Sequence, residues 1–287
     1  MDSKSFLMKA AEVQATEAAP RLDFRDVQRS IVLLSSFRSG SHMLKLSLNK
    51  LTGLIGKAEP FNHLVDDPNG YTLKDYLAEG GPQPRLMTEG HMAVHHFLAR
   101  FYQRLPPRTA VLFDVKYPQA YAFGVNAQMD LPLPVPTLLE EFHRLDMPFI
   151  HLVRRDLVAQ AISLMIAEDT GTFFLQPGSL PATNRMPEVT LSPRTVLARA
   201  LRLRNARDHA REVLTALGSK VLEVSYESLI STDGRGHYRE IMRFIGQYAD
   251  IPADFEPPTL RQNSQSRVSN MADVRDFVAK RDPALNG

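Results

Sequence analysis

Residues 37–41 form a short polar segment inside an apolar stretch, and their composition suits the binding of an anion. The segment follows the run SIVLLS and precedes HMLKLSLNKL, which predicts a strand, a turn and a helix in that order. Backbone N–H groups at the N-terminus of a helix favour a negatively charged ligand. Arg38 adds a positive charge to this turn. Ser39 and Ser41 add hydroxyl donors and Gly40 permits close backbone approach, so we predict a phosphate-binding loop.

This loop is not a Walker A sequence. The pattern G-x-x-x-x-G-K-[ST] is missing its first glycine and its Gly-Lys pair, which argues against an ATPase or GTPase. The alternative to a binding site is an ordinary strand-to-helix turn, with Ser39 or Ser41 as the helix N-cap.

The same order of elements recurs in residues 148–167, where PFIHLV predicts a strand, RRD a turn and LVAQAISLMIA a helix. Arg155 lies at the end of that strand, and Ser163 lies about two turns into the helix at ~1.5 Å rise per residue. Both side chains are therefore placed to reach one phosphate beside the helix. Arg154 is the neighbouring candidate if the strand register is shifted by one. Surface ion pairs with Asp156 or Glu168 are the alternative for this arginine pair.

The remaining apolar runs predict an α/β fold with a central parallel sheet and helices on both faces. VLFDVKY at residues 111–117 and KVLEVS at residues 220–225 are further strands. A long helical pattern covers residues 193–217 and ends at Gly218, a suitable C-cap.

We expect a single domain over residues 1–287, with residues 1–28 as an N-terminal extension. Prolines are dense in residues 129–136 and 173–193, so both segments are predicted to be loops on the side of the acceptor. Long loops in a compact domain are often lids or binding segments, and an inert surface insertion is the alternative.

The composition excludes several classes of protein. The chain has 287 residues with no cysteine, which excludes a disulfide framework, a thiolate metal site and a cysteine nucleophile. Lys+Arg number 34 against 32 Asp+Glu, a balance that argues against a nucleic-acid partner. No segment approaches ~20 apolar residues and the N-terminus lacks a signal-peptide pattern, so we expect a cytoplasmic protein without a transmembrane segment. The oligomeric state stays open, with a homo-oligomer as one alternative.

Two of these segments, SSFRSGSHML and HLVRRDLVAQAISL, resemble the motifs by which sulfotransferases hold 3′-phosphoadenosine 5′-phosphosulfate (PAPS). The resemblance implies a P-loop-like three-layer fold. It implies that the 3′-phosphate is bound by Arg155 and Ser163, with Arg154 as the alternative arginine. It also implies that the 5′-phosphosulfate is held by the first loop, through Arg38, Ser39, Gly40, Ser41 and His42.

Two weaker similarities follow in the family's order along the chain. KVLEVSYESLI resembles the sulfotransferase strand that ends in Tyr-Glu, and RQNSQSRVSNMADVRDF resembles the basic, serine-rich stretch near the nucleotide. They imply that Tyr226 lies near the adenine and that Arg267 adds a contact to the 3′-phosphate. A plain core position is the alternative for Tyr226.

The segments TGLIGKAEPFNH and AQAISLMIAEDTG are most similar to bacterial carbohydrate sulfotransferases of the trehalose-sulfating type. This resemblance implies that Glu59 is the general base that removes the proton of the acceptor hydroxyl. Other sulfotransferases use a histidine, so His63 is the alternative base. A solvated loop position is the alternative for both residues.

Lys116 ends the strand VLFDVKY, at the edge of the sheet where α/β proteins gather ligands. It is a candidate for binding the transferred sulfonate or an acidic acceptor. We favour the alternative of a surface lysine.

No metal site is predicted. His91 and His95 share a helical face in HMAVHH, but the sequence lacks the glutamate of H-E-x-x-H and an obvious carboxylate ligand. The expected function is transfer of sulfonate from PAPS to a hydroxyl of a carbohydrate, glycolipid or related small molecule, without a metal, leaving PAP as product. A nucleotide kinase dependent on ATP and magnesium and a non-catalytic nucleotide-binding module are the alternatives.

Overall fold

A computed structural model describes residues 22, 27–57, 59–62, 70–80, 90–126, 134–171, 188–248, 250–258 and 264–287. The described strands, in chain order, are β1 (Ile31–Ser35), β2 (Ile55–Lys57), β3 (Val111–Lys116), β4 (Val125–Asn126), β5 (Val135–Pro136), β6 (Phe149–Val153) and β7 (Val221–Ser225). The central sheet is parallel, with the order β2-β3-β1-β6-β7, and β4 pairs with β5 in a separate antiparallel ribbon.

The described α-helices are α1 (Ser41–Thr52), α2 (Leu73–Ala78), α3 (Gly90–Tyr102), α4 (Thr137–Arg144), α5 (Leu157–Thr170), α6 (Pro193–Ala216), α7 (Tyr226–Leu229), α8 (Gly234–Phe244) and α9 (Met271–Ala279). Three further segments form 3₁₀ turns at Tyr117–Phe123, Ser264–Arg267 and Pro283–Asn286. Within the described ranges, no helix combines the length and the apolar composition needed to cross a membrane.

The sheet is buried on both faces because alternate residues of its strands pack into different cores. In β1, Val32 and Leu34 belong to a core formed with α3, α4 and the end of α6. Ile31 and Leu33 belong to the opposite core, which α1 and α8 cover. This arrangement confirms the predicted three-layer α/β fold.

The predicted strands and helices around both motifs are confirmed, and so is the long helix α6, which ends just before Gly218. Strand β2 was not predicted because three residues are too short to show a periodic pattern. It pairs with β3 at the edge of the sheet.

The predicted loop at residues 129–136 is wrong at its end, where Val135 and Pro136 pair with β4. Proline has no backbone N–H to donate, and it is tolerated there because a strand at the edge of a two-stranded ribbon does not need that hydrogen bond. Of the predicted loop at residues 173–193, residues 173–187 lie outside the described part of the chain. Val189 pairs with Val268 in an isolated parallel bridge, and Pro193 begins α6.

Candidate active site

The loop that joins β1 to α1 turns three successive carbonyl groups toward the protein interior. The carbonyl of Ser36 accepts a hydrogen bond from the hydroxyl of Ser39 at 2.8 Å. The carbonyl of Phe37 accepts from Nε2 of Gln160 at 2.7 Å, and that of Arg38 accepts from Nη1 of Arg154 at 3.2 Å. These three hydrogen bonds hold the loop in place, and the backbone amides of a loop that opens a helix are suited to bind an anion.

Two residues of this loop have the left-handed backbone conformation that such a turn needs. Arg38 has φ 59° and Gly40 has φ 94°. A Cβ atom added to Gly40 would lie 2.3 Å from Cδ2 of Tyr226, so the glycine permits the close approach of that ring. Tyr226 therefore packs against the loop. Its contact with adenine stays a prediction.

The N-terminus of α1 lies in this loop and differs from that of an ordinary surface helix. Its N-cap residue is Gly40, and no side chain caps it. The alternative in which Ser39 or Ser41 is the N-cap is therefore wrong. The first-turn N–H groups have no acceptor within the helix, which suits them to bind an anion.

The structure brings the two predicted phosphate motifs together. Nε of Arg38 donates a hydrogen bond to Oγ of Ser163 on α5 at 3.0 Å. Burial, with a smaller effect from the positive charge of Arg154, lowers the pKa of Arg38 from its usual value. An arginine so shifted still carries its charge at neutral pH. The first loop and the second motif thus form one cationic site.

The two adjacent arginines at the end of β6 have different surroundings. Arg154 has an 18% exposed side chain, and its guanidinium lies 5.0 Å from the centre of the Tyr226 ring. Arg155 is 60% exposed, and its Nε lies 3.8 Å from Glu227. Arg154 supports the loop from within, whereas Arg155 lies at the surface where a ligand has access. A small cavity beneath the loop is lined in part by Ser36, Ser39, Tyr117, Arg154, Gln160 and Arg207.

Lys116 is not the surface lysine that we expected. Its side chain is 4% exposed, and its Nζ donates to Oδ1 of Asp114 at 2.5 Å and to Oγ of Ser41 at 2.6 Å. The lysine is buried because β3 lies inside the sheet, with β1 and β2 on either side. Its ammonium group lies within hydrogen-bond distance of Ser41, the first residue of α1.

Glu59 lies beyond the end of β2 with φ 46°. Its Oε2 accepts hydrogen bonds from Nε2 of Gln119 at 2.8 Å and from Nδ2 of Asn62 at 3.0 Å. The amide oxygen of Gln119 accepts from the backbone N–H of Lys116 at 3.0 Å, which fixes the orientation of the amide. Glu59 is thus tied to the same edge of the sheet as the loop. His63, the alternative base, lies outside the described residues.

The other predicted residues lie around this centre. Arg267 ends the 3₁₀ turn that packs against α5, and its carbonyl accepts from the N–H of Val189 at 2.8 Å. Burial and the charges of Lys45 and Lys116 lower the pKa of His42, which disfavours the charged form of its imidazole. Arg38 is the cationic side chain of the loop itself.

The histidines of α3 have separate partners. Nε2 of His95 lies 2.8 Å from Oε2 of Glu141, whereas Nδ1 of His96 lies 3.0 Å from the hydroxyl of Tyr76. Among the residues that the structure describes, no three His, Asp or Glu side chains are grouped to hold a metal ion.

Several functional side chains were missed by the sequence analysis. Gln160 binds the Phe37 carbonyl, Gln119 binds Glu59, and Asp114 holds Lys116. The partners of Gln160 and Gln119 are distant in sequence, so the sequence offers a signal only for Asp114. Asp114 and Lys116 are opposite charges two residues apart in an apolar strand, a spacing that places both on one face.

The fold and this site define an α/β protein whose cationic loop fits a phosphorylated ligand. The sequence matches the family described as Stf0 sulphotransferase over residues 30–274, and the chain belongs to that family. The predicted membership of the PAPS-dependent sulfotransferases is thereby confirmed. No match was found among curated proteins.

Two solved structures are similar to this chain at 16% sequence identity. The mouse sulfotransferase SULT7A1 complexed with PAP matches over 78% of this chain with a TM-score of 0.40, and the chain covers 60% of that protein. A sulfotransferase from Alicyclobacillus acidocaldarius matches over 90% of this chain and 94% of its own, with a TM-score of 0.43.

Proposed function

We propose that this protein transfers the sulfonate group of PAPS to a hydroxyl group of a small acceptor. The observation that supports this most is the loop itself, whose carbonyls at residues 36–38 all accept side-chain hydrogen bonds while Arg38 contacts Ser163. A loop of this kind presents amides and a guanidinium to an anion at the point where the second motif begins. The site also fits a donor with two phosphate groups, because Arg155 lies at the surface next to α5.

In this proposal, PAPS supplies an activated sulfonate, and the electron pair of its broken S–O bond stays on the phosphate of the PAP product. The loop amides and Arg38 stabilise the charge that develops on that phosphate. Arg155 and the hydroxyl of Ser163 bind the 3′-phosphate. Ser163 accepts from Arg38, so its own hydroxyl hydrogen is available to donate. Positioning and electrostatics then supply most of the rate enhancement.

Glu59 is the general base of the proposed reaction. Two amide donors bind its Oε2, which orients the carboxylate and leaves Oε1 for the hydroxyl of the acceptor. The proton of that hydroxyl moves to Glu59 as the new bond from oxygen to sulfur forms. His63 remains the alternative base from the sequence.

The proposed acceptor is a hydroxylated carbohydrate, glycolipid or related metabolite, as the resemblance to carbohydrate sulfotransferases implies. The acceptor and the cytoplasmic location stay predictions. Residues 129–133 and 173–187, which we predict to border the acceptor, lie outside the described part of the chain. An acceptor screen with labelled PAPS against sugars and glycolipids tests this assignment.

Substitution of Arg38 tests the proposal with a matched control. Arg38→Ala should abolish detectable transfer and weaken PAP binding at least ~10-fold, because a charged hydrogen-bond donor is lost from the site. Arg199→Ala removes an arginine whose visible partner is Glu168 on a neighbouring helix, and it should leave both properties unchanged. Normal turnover by the folded Arg38→Ala protein would refute the proposed function.

A further inference from the structure

The ammonium group of Lys116 has used all three of its hydrogens. It donates to Asp114 at 2.5 Å, to Ser41 at 2.6 Å and to Oγ of Ser35 at 3.2 Å. A lysine has three N–H donors and no acceptor, so these three bonds complete its capacity. With a side chain that is 4% exposed, Lys116 has no hydrogen left for the sulfonate or an acceptor.

The bond to Ser41 determines what that hydroxyl can do. A lysine never accepts a hydrogen bond, so Oγ of Ser41 is the acceptor in this pair. The hydroxyl hydrogen of Ser41 must then point to a different acceptor. Ser41 is the first residue of α1 and lies in the loop where the phosphosulfate is proposed to bind.

Asp114 fixes the position of this lysine from the other side. One carboxylate oxygen binds Lys116, and the other lies 3.0 Å from Nζ of Lys45. The side chains of Asp114 and Lys45 are 2% and 7% exposed, so the cluster is buried and has an excess positive charge. Burial alone would raise the pKa of Asp114, but the two ammonium groups lower it below its ordinary value. The carboxylate therefore remains ionised and holds Lys116 in place.

We propose that Lys116 acts through Ser41. Asp114 holds the ammonium group against Oγ of Ser41, so that the Ser41 hydroxyl donates its hydrogen to the phosphate at the 5′ end of the donor. Asp114 and Lys116 are thus positioning residues, and Ser41 is the residue that contacts the ligand. This inference rests on the proposed function, and it replaces the direct contact between Lys116 and substrate that the sequence suggested.

A double-mutant cycle on PAP affinity tests the proposal, because PAP retains the 5′-phosphate. Lys116→Met is preferred to a change at Asp114, since it leaves one lysine paired with one carboxylate rather than two buried lysines without a counter-charge. Ser41→Ala and Lys116→Met should each weaken PAP binding roughly 10-fold or more. The double variant should bind PAP within about twofold of Ser41→Ala alone, because Lys116 is proposed to act only through the hydrogen bond that Ser41 donates to the phosphate.

Ser47→Ala is the matched control, since it removes a buried hydroxyl from the same helix, where Ser47 bonds to the Met43 carbonyl. It should leave PAP affinity unchanged, and thermal melting checks that each variant is folded. Multiplicative losses of roughly 100-fold in the double variant, or full affinity in folded Lys116→Met, would overturn the inference while leaving the proposed function intact. A wild-type protein that does not bind PAP would overturn both.

Discussion

Gly40 is a residue of the loop where an added side chain would overlap a neighbouring ring. In Gly40→Ala, the new Cβ would lie 2.3 Å from the Tyr226 ring, on a backbone with φ 94°. We expect the substitution to cost ~1–2 kcal/mol for the left-handed backbone and ~1–3 kcal/mol more for the overlap. Urea denaturation measures this loss of unfolding free energy.

Gly53→Ala is the control for this prediction. Gly53 has φ 70°, but its added Cβ would have no neighbour within 4 Å. It should show the backbone cost alone and keep its PAP affinity. Equal losses of stability in the two variants would show that Tyr226 does not pack against the loop as described.

The two arginines after β6 should contribute to the binding of different phosphate groups of the ligand. Arg155→Ala should weaken PAP binding at least ~10-fold but change AMP binding little, because AMP lacks the 3′-phosphate. Arg154→Ala should weaken both ligands, since Arg154 holds the carbonyl of Arg38 in the 5′ loop. Calorimetric titration of each variant with PAP and AMP gives the four affinities. If Arg154→Ala instead weakened the binding of PAP but not that of AMP, the contact with the 3′-phosphate would be assigned to Arg154.

At the scale of elements, Asp156 joins the N-terminus of α5 to α9. Its Oδ1 accepts from the N–H of Ala159 at 2.8 Å, and Arg275 binds both of its carboxylate oxygens at 3.0 and 2.7 Å. We expect Asp156→Ala to lower the unfolding free energy by ~1.5–3 kcal/mol, because a cap and a bidentate ion pair are lost together.

The comparison for this element is Asp276→Ala, which removes an exposed i,i+4 ion pair with Lys280. Such a pair contributes only ~0.3–0.5 kcal/mol. Chemical denaturation of both variants gives the difference. If Asp156→Ala were no more destabilising than Asp276→Ala, the contact between α5 and α9 would not contribute to stability.

The elements that hold the site were predictable where their patterns are local. The run SIVLLS and the turn after it predicted β1, the loop and α1, and the Arg155 and Ser163 spacing predicted the second motif. Lys116 was expected at the surface because a lone lysine at a strand end is usually solvated. Its burial depends on Asp114 and on the hydroxyls of Ser35 and Ser41, which lie 81 and 75 positions earlier in the sequence and accept hydrogen bonds from its ammonium group. Periodicity reports which face a residue occupies, but not which distant hydrogen-bond partner lies there.

At the scale of the whole molecule, Glu223 connects three elements of the fold. It lies on β7, where Oε2 is 3.0 Å from Nδ1 of His151 on β6, and both of its oxygens accept from Arg211 on α6. Burial alone would raise the pKa of Glu223, but the hydrogen bonds from His151 and Arg211 lower it to about 2. The ionised carboxylate therefore stabilises the packing of α6 on the sheet.

This shift predicts how stability depends on pH. A carboxylate whose pKa is lower in the folded state stabilises the protein above its unfolded pKa of about 4.5, and the contribution is lost as the pH falls toward about 2. Glu223→Gln should therefore be less stable than wild type at pH 7, and the difference should shrink below pH 4.5. Denaturant titrations from pH 7 to pH 3 measure it. A difference that stayed constant over this range would contradict the low pKa.

The binding of PAP tests the central claim most directly, because it requires both phosphate motifs at once. Thermal stabilisation of the wild-type protein is measured with PAP, with ADP, and with ATP plus magnesium, since a ligand of the native state raises stability by mass action. Our account predicts that PAP stabilises the protein at lower concentration than either control and without magnesium. Stabilisation by ATP with magnesium alone, or by none of the three ligands, would contradict it.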